Sequence, residues 1–109
     1  MHPAAKLRKD LAGQSLIVAP GAYDCLTAKL VEKAGFGAVY MTGGSTAGAF
    51  LGVPDVGLLT MSEMADNAGR MANAVEVPVI ADADTGYGNE LNVIRTVREY
   101  AAGCGSAAY

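Results

Sequence analysis

Three short apolar runs, "SLIVAP", "GAVYM" and "VPVIA", restrict the folds open to this chain more than any other feature. None alternates apolar with polar residues, so each reads as a strand buried on both faces, the habit of parallel sheets. Each is followed by a helical pattern. After "SLIVAP", which Pro20 and Gly21 close, Leu26, Leu30, Val31 and Ala34 recur at helical spacing, and Gly35 stands where a left-handed C-cap is wanted. After "GAVYM" comes "TGGSTAGAFLGVPD", too rich in glycine for regular structure and read as a long loop. Thr60 and Glu63 then form a capping box, ahead of an apolar face of Met61, Met64, Ala65, Ala68, Met71, Ala72 and Val75. After "VPVIA", Asn89 caps a third helix, with Leu91, Ile94, Val97 and Ala101 expected inward and Gly103 as its stop. A short amphipathic helix over "PAAKLRKDLAGQ" leads the chain.

Three strand–helix units in succession predict an α/β fold with a parallel sheet. The chain has 109 residues, and three units do not close a barrel of eight, which takes about 250 residues. The expectation is a single partial domain over residues 1–109, the N-terminal piece of a longer enzyme, with its third strand an unpaired apolar edge. A fourth strand is expected to begin where "GSAAY" stands, soon after the third helix.

Composition sets limits on partners. Hydrophobic residues make up 51% and charged residues 17%, which belongs to a globular chain. The net charge of -3, with both signs mixed along the sequence, offers no cationic stripe for a nucleic acid. No segment reaches the roughly 18 apolar residues of a membrane span. Cys25 and Cys104 lack metal-type spacing and read as reduced thiols, so a soluble cytoplasmic protein is expected. His2, at the second position, is given no role.

Ligands of parallel α/β folds sit beyond the carboxyl ends of the strands, which directs attention to "PGAYD", "TGGS" and "DADTGYG". If the third strand persists through Ala83, Asp82 and Asp84 leave the same face, and two like charges there repel unless a cation lies between them. Mg2+ suits such a pair, because it takes few protein carboxylates and keeps waters and substrate oxygens. An Asx-type turn at the same string is the alternative, and spacing alone leaves both open. "TGGS" offers backbone N–H groups and the Thr42 hydroxyl to a carboxylate or enolate oxygen, or else is a plain flexible turn. Asp55 closes the same stretch and reaches back over a site or serves only the turn; Tyr40 and Tyr87, at strand ends, are candidates for lining a pocket. Neither a Walker loop nor G-x-G-x-x-G is present, which disfavours a nucleotide-binding module.

Taken together, "APGAYD", "VYMTGGSTAGAFLGVPDVGLLT" and "PVIADADTGYGN" resemble, in this order, the isocitrate lyase and phosphoenolpyruvate mutase superfamily, in particular its short-chain members such as methylisocitrate lyase. The resemblance implies a (β/α)8 TIM barrel binding Mg2+, with Mn2+ an alternative, and a small α-keto or α-hydroxy carboxylate. It implies that Asp82 ligates the metal directly and that Asp84 holds a metal-bound water. By the same resemblance Thr42, Gly43 and Gly44 bind the substrate, and Asp55 serves catalysis or proton handling; Tyr40, from its place at a strand end, is counted with the substrate-binding residues. The full-length parent is then expected to be a carbon–carbon lyase working through a pyruvate-type enolate, and a homo-oligomer, a tetramer. A phosphonate-forming mutase, an oxaloacetate decarboxylase or a non-catalytic partial barrel acting only by association are the alternatives. The family's later glutamate ligand and gating loop are expected beyond residue 109, so the chain alone is expected to be inactive.

Overall fold

The ladder that organises the sheet begins where the first apolar run ends. In the structure, a computed structural model describing residues 2–104, Tyr40 N donates to Pro20 O and Thr42 N to Ala22 O, both at 3.0 Å. These bonds pair β1 (Gly21–Ala22) with β2 (Val39–Met41) in parallel, Gly21 opposite Tyr40. On the other side of β2 lies β3 (Val79–Ala81), also parallel, with Val39 opposite Val79 and Met41 opposite Ala81. The three-stranded parallel sheet is thus the one the apolar runs predict, in the order β1-β2-β3. The first strand is nevertheless displaced: Leu16 is 87% exposed, and residues 15–19 form no strand. Their neighbour β2 begins only at Val39, which leaves those residues no partner among the described ones.

Five helices surround the sheet: α1 (Pro3–Ala12), α2 (Cys25–Lys33), α3 (Gly44–Leu51), α4 (Met61–Ala74) and α5 (Glu90–Cys104). Their starts follow side-chain chemistry. Thr60 and Glu63 make the expected capping box, and Asn89 Oδ1 accepts from Leu91 N and Asn92 N at 3.1 Å. Two caps escaped the sequence reading: Asp24 with Thr27 at α2, and His2, whose Nδ1 accepts from Ala4 N at 3.2 Å. Gly35 takes its left-handed φ of 95° after α2. At its far end α5 runs through Cys104 instead of stopping at Gly103, the one-residue slack usual at helix ends. Residues 105–109, where a fourth strand was expected to begin, lie outside the described residues.

Two expectations about helices are corrected. The glycine-rich stretch is not a loop throughout, because α3 occupies its middle and ends on Gly52 at φ 66°. Glycine costs about 1 kcal/mol per interior position, and burial of Thr46 and Ala47 against the core outweighs that local cost. The inward face of α5 is not Leu91, Ile94, Val97 and Ala101, all of which are exposed, but Thr96 and Tyr100, at 2% and 0% exposure. On α2 the fully buried residue is likewise Ala28, while Leu26 and Leu30 face outward.

α4 meets its expected face. Met64, Ala68 and Met71 are buried against Val39, Met41, Val79 and Ala81, and burying each large apolar side chain contributes roughly 1.5–3 kcal/mol. Glu32, on α2, reaches across to the segment entering β3, where its Oε2 accepts from Glu76 N at 2.6 Å and Val77 N at 3.0 Å. Those bonds fix the height at which β3 enters the sheet and, with it, where its carboxyl end emerges. Among the described residues no helix is long and apolar enough to cross a membrane.

Candidate active site

The carboxyl ends of β2 and β3 emerge side by side, and the residues that follow them build one cleft. Asp82 N donates to Met41 O at 3.1 Å, which extends the β2–β3 pairing by one rung and places the Asp82 side chain beside Gly43. Both carboxylate oxygens are engaged: Oδ1 accepts from Asp84 N at 2.8 Å and Oδ2 from the Tyr40 hydroxyl at 3.3 Å. The strand therefore does not persist through Ala83. It ends at Ala81, and an Asx turn of Asp82, not the alternation of a strand, orients the second aspartate. Asp82, Asp84 and Asp55 nonetheless all line one cleft, with Gly43 and Tyr87.

Thr42, Gly44 and Tyr40 lie around this lining rather than in it. The Tyr40 hydroxyl is committed to Asp82, and Gly44 abuts Asp55, whose Cβ would be 3.4 Å from a Cβ placed at residue 44. Thr42 Oγ1 is buried and has no hydrogen-bond partner among the described residues. A buried hydroxyl without a partner costs about 1–3 kcal/mol, so this atom is suited to a ligand. Next to it α3 begins at Gly44, and no side chain caps it at Gly43. Its first N–H groups carry the partial positive charge that attracts carboxylates. This helix start is the feature missed when the stretch was read as a loop.

The turn after β3 is held in an unusual conformation. Asp84 (φ 50°), Gly86 (φ 94°), Tyr87 (φ 63°) and Gly88 (φ 143°) all have positive φ, which costs a non-glycine residue about 1–2 kcal/mol. α5 supplies the restraint. Thr96 Oγ1 donates to Gly86 O at 2.7 Å, the Tyr100 hydroxyl donates to Asp82 O at 3.0 Å, and the Tyr87 and Tyr100 hydroxyls lie 3.3 Å apart. Thr96 and Tyr100 are four residues apart, on one helical face, which is why that face is polar and buried at once.

Three carboxylates with no basic side chain lining the cleft favour a cation. Among the described residues no three His, Cys, Asp or Glu side chains converge to hold a metal by themselves. The donor set fits Mg2+ rather than Zn2+, because Mg2+ accepts one or two carboxylates and fills its octahedron with water and ligand oxygen. The same negative field acts on Tyr87: burial pushes its phenol above the ordinary value, Asp84 and Asp82 add to the shift, and the bond with Tyr100 opposes it. The fold thus favours the neutral phenol, and this contribution to stability is intact below the ordinary tyrosine value and lost as pH rises through the raised one. An ultraviolet titration of wild type against Tyr87→Phe is expected to show a phenol ionising later than ordinary tyrosine; ionisation at or below the ordinary value would contradict its burial.

The sequence profile described as phosphoenolpyruvate phosphomutase matches residues 7–108. The chain belongs to the phosphoenolpyruvate phosphomutase family. Within this family it is 57% identical over 100 residues to 2,3-dimethylmalate lyase of Eubacterium barkeri, covering 92% of this chain and 35% of the relative. It is 45% identical over 97 residues to oxaloacetate decarboxylase of a Bradyrhizobium species, covering 88% of this chain and 33% of the relative. Among solved structures of phosphoenolpyruvate phosphomutase relatives, phosphonopyruvate hydrolase in complex with oxalate and Mg2+ superposes with a TM-score of 0.94 at 38% identity, over 99% of this chain and 38% of that one. The chain spans about a third of the length of the curated relatives it matches. Its three βα units match a fragment of the superfamily's TIM-barrel fold, and the matched relatives span lyase, decarboxylase and hydrolase activities.

Proposed function

We propose that this chain carries the metal-binding and carboxylate-binding part of a Mg2+-dependent carbon–carbon lyase that acts on a small α-hydroxy or α-keto carboxylate through a pyruvate-type enolate. One observation carries the reading: a three-carboxylate cleft adjoins the buried Thr42 hydroxyl, unpartnered among the described residues, and the start of α3. On this reading a place for a cation and one for an anion would stand side by side. Asp82 and Asp84 would hold the metal, with Tyr40 fixing the Asp82 carboxylate. When bound, Mg2+ supplies the positive charge that favours negative charge developing on a substrate oxygen. The Thr42 hydroxyl and the N–H groups at Gly43 and Gly44 would orient the substrate carboxylate. Asp55, exposed and adjacent to Gly44, would take or return a proton. Support for the cation comes also from the relative solved with oxalate and Mg2+.

Calorimetric titration of the whole protein with oxalate tests the reading. Oxalate is expected to bind in the presence of Mg2+ and to lose most of its affinity when Mg2+ is removed by a chelator; equal affinity in both conditions would overturn it. The exposed Leu91, Ile94 and Val97 favour a second reading, a non-catalytic partial barrel acting by association. Absence of both Mg2+ and oxalate binding would shift the balance to that alternative.

A further inference from the structure

We propose that Gly21 is a positioning residue for Thr42: the missing side chain at 21 is the space that accepts the Thr42 methyl and so directs the Thr42 hydroxyl toward the ligand. The inference rests on the reading of Thr42 as a carboxylate-binding residue, and it deepens that reading by locating what sets the hydroxyl's direction. A Cβ added at Gly21 would lie 2.8 Å from Thr42 Cγ2, and no other atom of the described residues beyond its chain neighbours would come within 4 Å. Gly21 does not have a positive φ, so its backbone is open to any residue and the methyl is the only obstacle. Gly21 lies on β1 and Thr42 directly follows β2, and the two segments are tied together there, since Thr42 N donates to Ala22 O at 3.0 Å and Gly21 pairs with Tyr40. Sliding them apart would break that ladder.

The methyl and hydroxyl of Thr42 are carried by one Cβ, about 120° apart around the first side-chain torsion, and threonine is stiff at that torsion. Any group at 21 that pushes the methyl away must turn the hydroxyl by the same angle. That hydroxyl is the buried oxygen without a partner among the described residues. A residue outside the cleft lining would therefore set the aim of a hydroxyl that adjoins it.

A double-mutant cycle in the whole protein tests this, with oxalate as the probe at saturating Mg2+ and thermal unfolding as the control. In the wild-type background Gly21→Ala is expected to weaken oxalate binding by about tenfold, whereas in the Thr42→Ser background, which keeps a hydroxyl and lacks the methyl, the same change alters affinity by less than about twofold. Equal losses in the two backgrounds, or no loss in either, would overturn the proposal. If Gly21→Ala alone fails to fold, the double variant is expected to fold and bind oxalate as Thr42→Ser does; a double variant that is unfolded or does not bind means that the methyl is not what Gly21 accommodates. The reading beneath is tested separately by Thr42→Val, which keeps the methyl and lacks the hydroxyl. Full oxalate affinity in that variant removes the carboxylate-binding role of Thr42, and with it the reason for Gly21 to position anything.

Discussion

Asp82→Ala will weaken Mg2+ binding by about a hundredfold, the upper end of what even an indirect partner of a metal costs. The expectation is large because Asp82 acts on the cleft in two ways. It supplies one of the three carboxylates, and its Oδ1 accepts from Asp84 N, so its loss also releases the turn that aims the second aspartate. Isothermal titration of Mg2+ into wild type and variant measures it, and unchanged affinity would remove the metal assignment. A companion substitution separates position from charge. A Cβ at Gly43 would lie 2.6 Å from Asp82 Oδ2, while the Gly43 φ of -80° accepts alanine without strain. Gly43→Ala keeps every carboxylate yet displaces one, and is expected to cost about tenfold in Mg2+ affinity with little change in thermal stability.

The second large effect falls on the fold. Gly86→Ala is expected to destabilise the protein by about 2–5 kcal/mol, from about 1–2 for a side chain at positive φ and about 1–3 for overlap. The overlap is concrete: with φ at 94°, the new Cβ would stand 2.4 Å from Val93 Cγ2. Denaturant unfolding reads the loss directly. Adding Val93→Ala to Gly86→Ala relieves the overlap and leaves the backbone strain, so net recovery is partial at most. A loss below about 1 kcal/mol for Gly86→Ala alone would mean that the turn is not built as described.

Much of this architecture was legible because its causes are local. The second and third apolar runs, the Thr60 and Glu63 box and the Asn89 cap each act within a few residues, and each was found where expected. What failed depended on distant partners. The first strand was placed too early because its extent is set by where β2 begins, not by its own apolar residues. The inward face of α5 was misassigned because hydrophobic periodicity counts apolar residues only. The carbonyls of Asp82 and Gly86 need donors, and Thr96 and Tyr100 turn inward to supply them. Of the site, the aspartate pair and the Thr-Gly-Gly stretch were visible as strings, while the Asx turn that aims Asp84 and the helix that begins at Gly44 were not. A glycine-rich string conceals a helix whose stabilising contacts lie elsewhere.

The bonds from α5 to the turn also bear on how portable this site is. Residues 82–88 contain two of the three aspartates that line the cleft, yet the hydroxyls fixing their backbone belong to residues 96 and 100. Grafting the turn alone onto another parallel sheet would transfer the carboxylates and leave behind what holds them. The smallest transplantable unit is the strand end together with the helix that follows it.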